Sequence, residues 1–257
     1  MNKFPISLYI LILLFSLIFM PYAQNKQSVT NNCRQIIVVL TDSASSTKGY
    51  FFRFERINNK ENWIQMGNYL QAVLGRNGLG SGNGLETINT SELPTKVEGD
   101  GRSPAGIFKL GSAFGYANTY EMNGLKIPYI QITETCECVD DKESEYYNQI
   151  VNRNNIDTVD WHSSEKMFFA DIWYEQGIVI EYNTNSISHG AGSCIFLHNW
   201  SSPNETSAGC TEIEPSELKN IINWLDSSAN PLIVQLTKTI YENYKSKWEL
   251  PEVIFNN

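Results

Sequence analysis

Apolar and polar positions divide the chain into short runs whose periods differ. Residues 35–41 (QIIVVLT) form an apolar, β-branched run closed by Asp42-Ser43, which predicts a strand. Residues 50–57 (YFFRFERI) alternate aromatic and polar side chains, the period of a half-buried strand. One or two further strands fall within 62–73, and the short polar spacers between these runs predict antiparallel pairing. Residues 178–182 (IVIEY) and 193–198 (SCIFLH) read as strands flanking a turn that contains His189-Gly190, and 232–236 (LIVQL) as a closing strand. The period changes once: behind Pro215, residues Leu218, Ile221, Ile222 and Leu225 follow the i, i+3, i+4, i+7 spacing of a helix face, predicting a helix over 215–226. Together these signals describe a mainly β domain with a few helices over 35–257, behind a flexible polar lead-in at 24–34.

Two stretches lack a period. Between 75 and 106 the chain carries Gly75, Gly78, Gly80, Gly82, Gly84, Gly99, Gly101 and Gly106. Nothing places them between a strand and a helix, so turns and close backbone packing explain them better than a dinucleotide-binding loop. Residues 138–166 are polar, with Asp140, Asp141, Asp157 and Asp160 too sparse for a calcium loop. They read as a long surface loop with a helical turn near 144–151.

The first residues add a compartment. Lys3 is the only early charge, 6–20 is nearly unbroken apolar sequence, and Pro21-Tyr22-Ala23-Gln24 returns the chain to polar residues. This is a secretory signal pattern over 1–23, with cleavage after Ala23. The alternative is an uncleaved N-terminal anchor, since 4–23 approaches the ~20 residues that span a bilayer. Either reading puts the folded part outside the cytoplasm. A net charge of -9 and the lack of a basic run argue against nucleic acid. Exported cysteines tend to pair, and the count of Cys33, Cys136, Cys138, Cys194 and Cys210 is odd, which leaves at least one thiol free.

Candidate chemistry gathers in Gly192-Ser193-Cys194-Ile195-Phe196-Leu197-His198-Asn199-Trp200 and Ser207-Ala208-Gly209-Cys210-Thr211. A histidine ends an apolar strand, and twelve residues later a cysteine follows a small-small-Gly turn. A cysteine nucleophile needs a neighbouring base or cation because the thiolate is the attacking species. Gly209 clears side-chain bulk beside the sulfur, so that backbone N–H groups can face an oxyanion. The plainer alternative is a half-cystine beside an unrelated histidine.

The stretch SCIFLHNW…TSAGCTEI resembles the signature of the L,D-transpeptidase (YkuD-like) catalytic domain family, in the branch with an IFLH strand and an x-Ala-Gly-Cys-Thr turn. The likeness continues through Leu74-Gly75-Arg76-Asn77-Gly78-Leu79-Gly80, Glu98 to Phe108, Phe114-Gly115-Tyr116, Cys138-Val139-Asp140-Asp141, Trp161, Ser164, Glu165 and Met167, covering roughly 35–240. The resemblance implies a β-sandwich catalytic domain acting on peptidoglycan stem peptides in the periplasm or cell envelope of a bacterium, without cofactor or metal. It implies that Cys210 forms a thioester and that His198 exchanges the protons. Ser207 and Gly209 would shape the nucleophile turn, and the Cys210 N–H would face the oxyanion. Two positions depart from many relatives: Asn199 stands where they have glycine, and Glu212 where they have arginine. These bear on acceptor choice and on transfer against hydrolysis, so a hydrolase on the same scaffold is the alternative. A non-catalytic wall-binding module with Cys210 in a disulfide is a third reading.

Other signals are weaker. His162, His189 and His198 are spaced by 27 and 9 residues, unlike zinc ligands. Cys136 and Cys138 are too close in sequence to bridge each other easily, which leaves Cys33 or Cys194 as a partner for one of them. The sequons at Asn89, Asn199 and Asn204 read as chance, and Trp161, Trp173, Trp200 and Trp224 as core. A papain-like arrangement is disfavoured because its cysteine precedes its histidine.

Overall fold

A computed structural model describes residues 28–255. The signal segment at 1–23 and the start of the lead-in lie outside the described residues. Among those described, no helix is long and apolar enough to cross a membrane.

The strands are β1 (Gln35–Thr41), β2 (Lys48–Glu55), β3 (Ile64–Gln65), β4 (Leu70–Val73), β5 (Leu79–Ser81), β6 (Ser103–Gly115), β7 (Tyr129–Gln131), β8 (Cys136–Val139), β9 (Ile150–Asn152), β10 (Ser164–Lys166), β11 (Gln176–Ile180), β12 (Phe196–Asn199), β13 (Thr211–Ile213) and β14 (Leu232–Thr237). The two α-helices are α1 (Pro215–Trp224) and α2 (Lys238–Trp248). The chain is therefore mainly β with few helices, as its pattern predicts. β1, β14, β6, β11, β12, β13, β4 and β2 pair in that order, and β2 pairs back to β1. The expected sandwich is here a closed ring of strands, which leaves no open edge among these eight. The predicted antiparallel pairing holds for β1 with β2 and for β2 with both β3 and β4. Two neighbours in the ring run parallel, β1 with β14 and β12 with β13.

Every residue of β1 and of β14 is buried, which explains their unbroken apolar runs. α2 covers them with Ile240, Tyr241 and Trp248. Thr237 caps α2, its hydroxyl accepting from the Ile240 N–H at 3.2 Å. α1 packs Leu218, Ile221 and Ile222 towards β11 and β12, with Pro215 in its first turn. Each such side chain contributes on the order of 1.5–3 kcal/mol when fully buried.

Three expectations need correction. The lead-in is not loose from Ser28 onward, because buried Thr30 donates to the Trp248 carbonyl at 2.7 Å and Arg56 donates to Cys33 O at 2.9 Å. The region 138–166 is not a surface loop, since β8, β9 and β10 form a separate three-stranded sheet with Glu137, Cys138 and Val139 buried. Within it, turns and the short strand β9 replace the expected helical turn near 144–151. The longest strand, β6, emerges from the glycine-rich stretch, where no strand is predicted.

Candidate active site

The pairing of β12 with β13 sets His198 beside Glu212 in register, and Cys210 immediately precedes β13. The turn before Cys210 is tightly held. Ser207 Oγ accepts the Gly209 N–H at 3.0 Å and donates to the Cys210 carbonyl at 2.6 Å. From across the ring, fully buried Ser103 accepts the Gly75 N–H and donates to the same Cys210 carbonyl, both at 2.9 Å. Gly209 has φ +152°, a conformation that strains any side chain, and a Cβ there would also crowd the Arg102 carbonyl oxygen at 3.1 Å. Below the turn, Thr211 donates to Gln235, whose amide is anchored on Pro104 O at 2.9 Å.

Cys210 is a free thiol, 7% exposed. Its sulfur accepts the Phe196 N–H at 3.3 Å and donates to the Cys194 carbonyl at 3.4 Å. Burial, reinforced by the negative charges of Glu165 and Glu212, pushes the thiol above its ordinary value; the Phe196 N–H and Lys96 act the other way.

His198 Nδ1 lies 2.8 Å from Asn199 O. A carbonyl can only accept, so Nδ1 carries the hydrogen and Nε2 keeps its lone pair. The group that orients this imidazole is thus a backbone atom, which sequence could not identify. Burial holds His198 down to about 4, while the Asn199 bond opposes that shift. The resting pair is accordingly a neutral thiol and a neutral imidazole. Asn199 is buried, its amide donating to Ile172 O at 2.9 Å and accepting from Gln176 Nε2 at 3.1 Å. It ties the segment carrying Trp173 and Tyr174 to the histidine strand.

Cys210, His198, Ser207 and Gly209 all line one cavity of about 560 Å³. Its walls include two groups that sequence alone does not single out, Tyr174 and Lys96, together with Glu98 and Glu212. Tyr174 sets its ring edge-on to His198 at 5.1 Å between centroids and donates to Glu165. Burial lifts Glu165 to about 7, partly offset by the Tyr174 hydroxyl. Glu212 is also lifted to about 7, first by burial and then by the charge of Glu205. Glu98 accepts from Tyr147 and from Ser193 Oγ, and Lys96 pairs with Asp100 at 3.0 Å.

Cys194 is bonded to Cys138, one of the pairings left open by the sequence, and the link joins the small sheet to the cavity wall. Cys33 and Cys136 are free and buried. The three histidines do not converge: His189 stacks on Tyr147, and exposed His162 sits on the loop beside Asp141. Of the tryptophans read as core, Trp161 is buried and Trp200 and Trp224 are half-buried, whereas Trp173 is 39% exposed on the cavity rim.

No protein-family model, no curated protein and no solved structure matches this chain.

Proposed function

We propose that this chain is an exported cysteine acyltransferase of the L,D-transpeptidase type, built on a β-sandwich-derived catalytic domain and acting on peptidoglycan stem peptides. The observation that carries this reading is a free Cys210 thiol sharing a cavity with the unprotonated Nε2 of His198. The S–H turns away from the Cys194 carbonyl and passes its proton to Nε2 as the sulfur attacks the stem carbonyl. General-base transfer suits a neutral pair better than a standing thiolate–imidazolium would. The Cys210 N–H, at the end of a turn cleared by Gly209, is the group we assign to the oxyanion. Imidazolium then protonates the departing amine, leaving a thioester that a second amine resolves. The free thiol counts against the wall-binding alternative, which needs Cys210 in a disulfide.

The test is muropeptide analysis with purified protein and its Cys210→Ala variant, alongside intact mass after exposure to a carbapenem. A covalent adduct on the wild type alone, with cross-linked dimers or exchanged terminal residues, is the expected result. Trimmed monomers without dimers would instead assign a hydrolase. Identical products from both proteins would end the proposal.

A further inference from the structure

Glu212 Oε1 and His198 Nε2 stand 3.9 Å apart, with side chains only 5% exposed. With Nδ1 donating to Asn199 O, Nε2 is a bare acceptor. Among the described residues neither oxygen of Glu212 accepts a hydrogen bond, and the separation is too long for one between the two groups themselves. Two acceptors on buried side chains therefore face each other with no protein donor between them, and both open onto the cavity. With the Glu212 side chain only 5% exposed, a carboxylate there favours a ligand that brings a compensating positive charge. One nitrogen within ordinary hydrogen-bond reach of about 2.8–3.2 Å of each atom fits the gap.

We propose that Glu212 and His198 Nε2 form the seat of the acyl acceptor, and that the ligand they take is a primary ammonium, as on a diamino acid side chain. This rests on the acyltransferase reading and adds the residue that selects the acceptor. Glu212 takes one proton from the bound ammonium, giving a neutral amine and a carboxylic acid. The amine nitrogen attacks the thioester carbonyl carbon, and His198 Nε2 removes its second proton. The tetrahedral intermediate collapses with cleavage of the C–S bond, and the imidazolium returns that proton to the leaving sulfur. An amide and the Cys210 thiol result, and Glu212 releases its proton to solvent. The raised proton affinity of Glu212 fits it for the first transfer. Water could bridge the same atoms but brings no charge, so the seat favours aminolysis over hydrolysis.

Two readouts test this on the full exported chain. The first is the His198 ring nitrogen resonances during titration with Nα-acetyl-lysine methylamide, and with its Nε-acetylated, neutral counterpart. The cationic probe alone should shift Nε2, and Glu212→Gln should abolish the shift. Equal response to both probes, or a shift that survives in E212Q, would mean a water-filled gap and overturn the seat. The second starts from acyl-enzyme counted by mass and reads the ratio of aminolysis to hydrolysis per acyl group. With the lysine amide the ratio should fall about tenfold or more in E212Q, the loss of one charge-assisted hydrogen bond. With methoxyamine, a nucleophile neutral at pH 7, it should hold. An unchanged ratio with the cationic acceptor overturns the proposal. Failure to form any acyl-enzyme would instead strike the acyltransferase reading, while the resonance titration still decides the ammonium seat.

Discussion

The Cys210 thiol donates to the main-chain oxygen of Cys194, and Cys194 is itself tied through its sulfur to Cys138. Cys194 holds φ +54°, a conformation that costs a non-glycine residue free energy, and its N–H donates to Asn148 Oδ1 at 2.9 Å. Both devices fix the carbonyl that receives the thiol hydrogen.

Cutting the Cys138–Cys194 link should therefore affect both stability and chemistry. The crosslink spans 56 residues, and bridges of this size stabilise by about 2–4 kcal/mol. Cys138→Ser should lose stability on that order in urea unfolding. At a temperature where it remains folded, carbapenem acylation of Cys210 should slow. A variant that acylates at the wild-type rate would show that the Cys194 carbonyl has no part in holding the thiol.

The acid limit of acylation follows from His198. The imidazole must be neutral to accept the thiol proton, and burial holds it down to about 4 rather than the ordinary 6.5. Reactivity should persist as pH falls through 6 and be lost only near 4. The pH profile of single-turnover acylation, followed by mass, checks this. An acid limb centred near 6.5 would mean that the histidine is more hydrated in solution than its burial indicates.

Local pattern carried much of this protein and missed what depends on distant partners. β1, β2, β14 and α1 were legible because each buries one continuous run or face. The closing strand is the last element the pattern predicts, and α2 behind it goes unpredicted, although Ile240, Tyr241 and Trp248 form its buried side. β8, β9 and β10 are illegible because each is only three or four residues long: Ser164–Lys166 is polar throughout, and Glu137 interrupts β8, buried in an ion pair with Lys166. At the site, His198 and Cys210 stood out through their short spacing and the family resemblance. Ser103, which is 107 residues from Cys210, and Tyr174 did not, because closure of the ring brings them there.

Ser103→Ala isolates one of those long-range supports. The hydroxyl serves Gly75 N–H and Cys210 O together in a fully buried setting, and alanine leaves the amide unpaired. Loss of such a pairing costs about 1–3 kcal/mol. Because Ser207 still holds the Cys210 carbonyl, the variant should fold, with that loss in urea unfolding and slower acylation. Wild-type values in both measurements would mean that water replaces the hydroxyl.

Glu212 also leaves a signature in the pH dependence of stability. Its folded value is raised to about 7 from 4.5, as is that of Glu165, so between these limits the native protein holds protons that the unfolded chain has lost. Each carboxyl therefore stabilises the fold fully below 4.5, and this contribution is lost as pH rises through 7. His198 has the opposite sign. Lowered from 6.5 to about 4, it makes stability fall as pH drops through that window. Between pH 4.5 and 6.5 the histidine offsets one of these carboxyls, and Glu212 by itself contributes a decline with pH of up to about 1.4 kcal/mol per unit. Glu212→Gln removes that contribution, so in urea unfolding at pH 5, 5.5 and 6 the wild type should lose stability relative to the variant as pH rises. Parallel slopes would mean that Glu212 keeps the proton affinity of an ordinary carboxyl, and the first proton transfer assigned to it would fail.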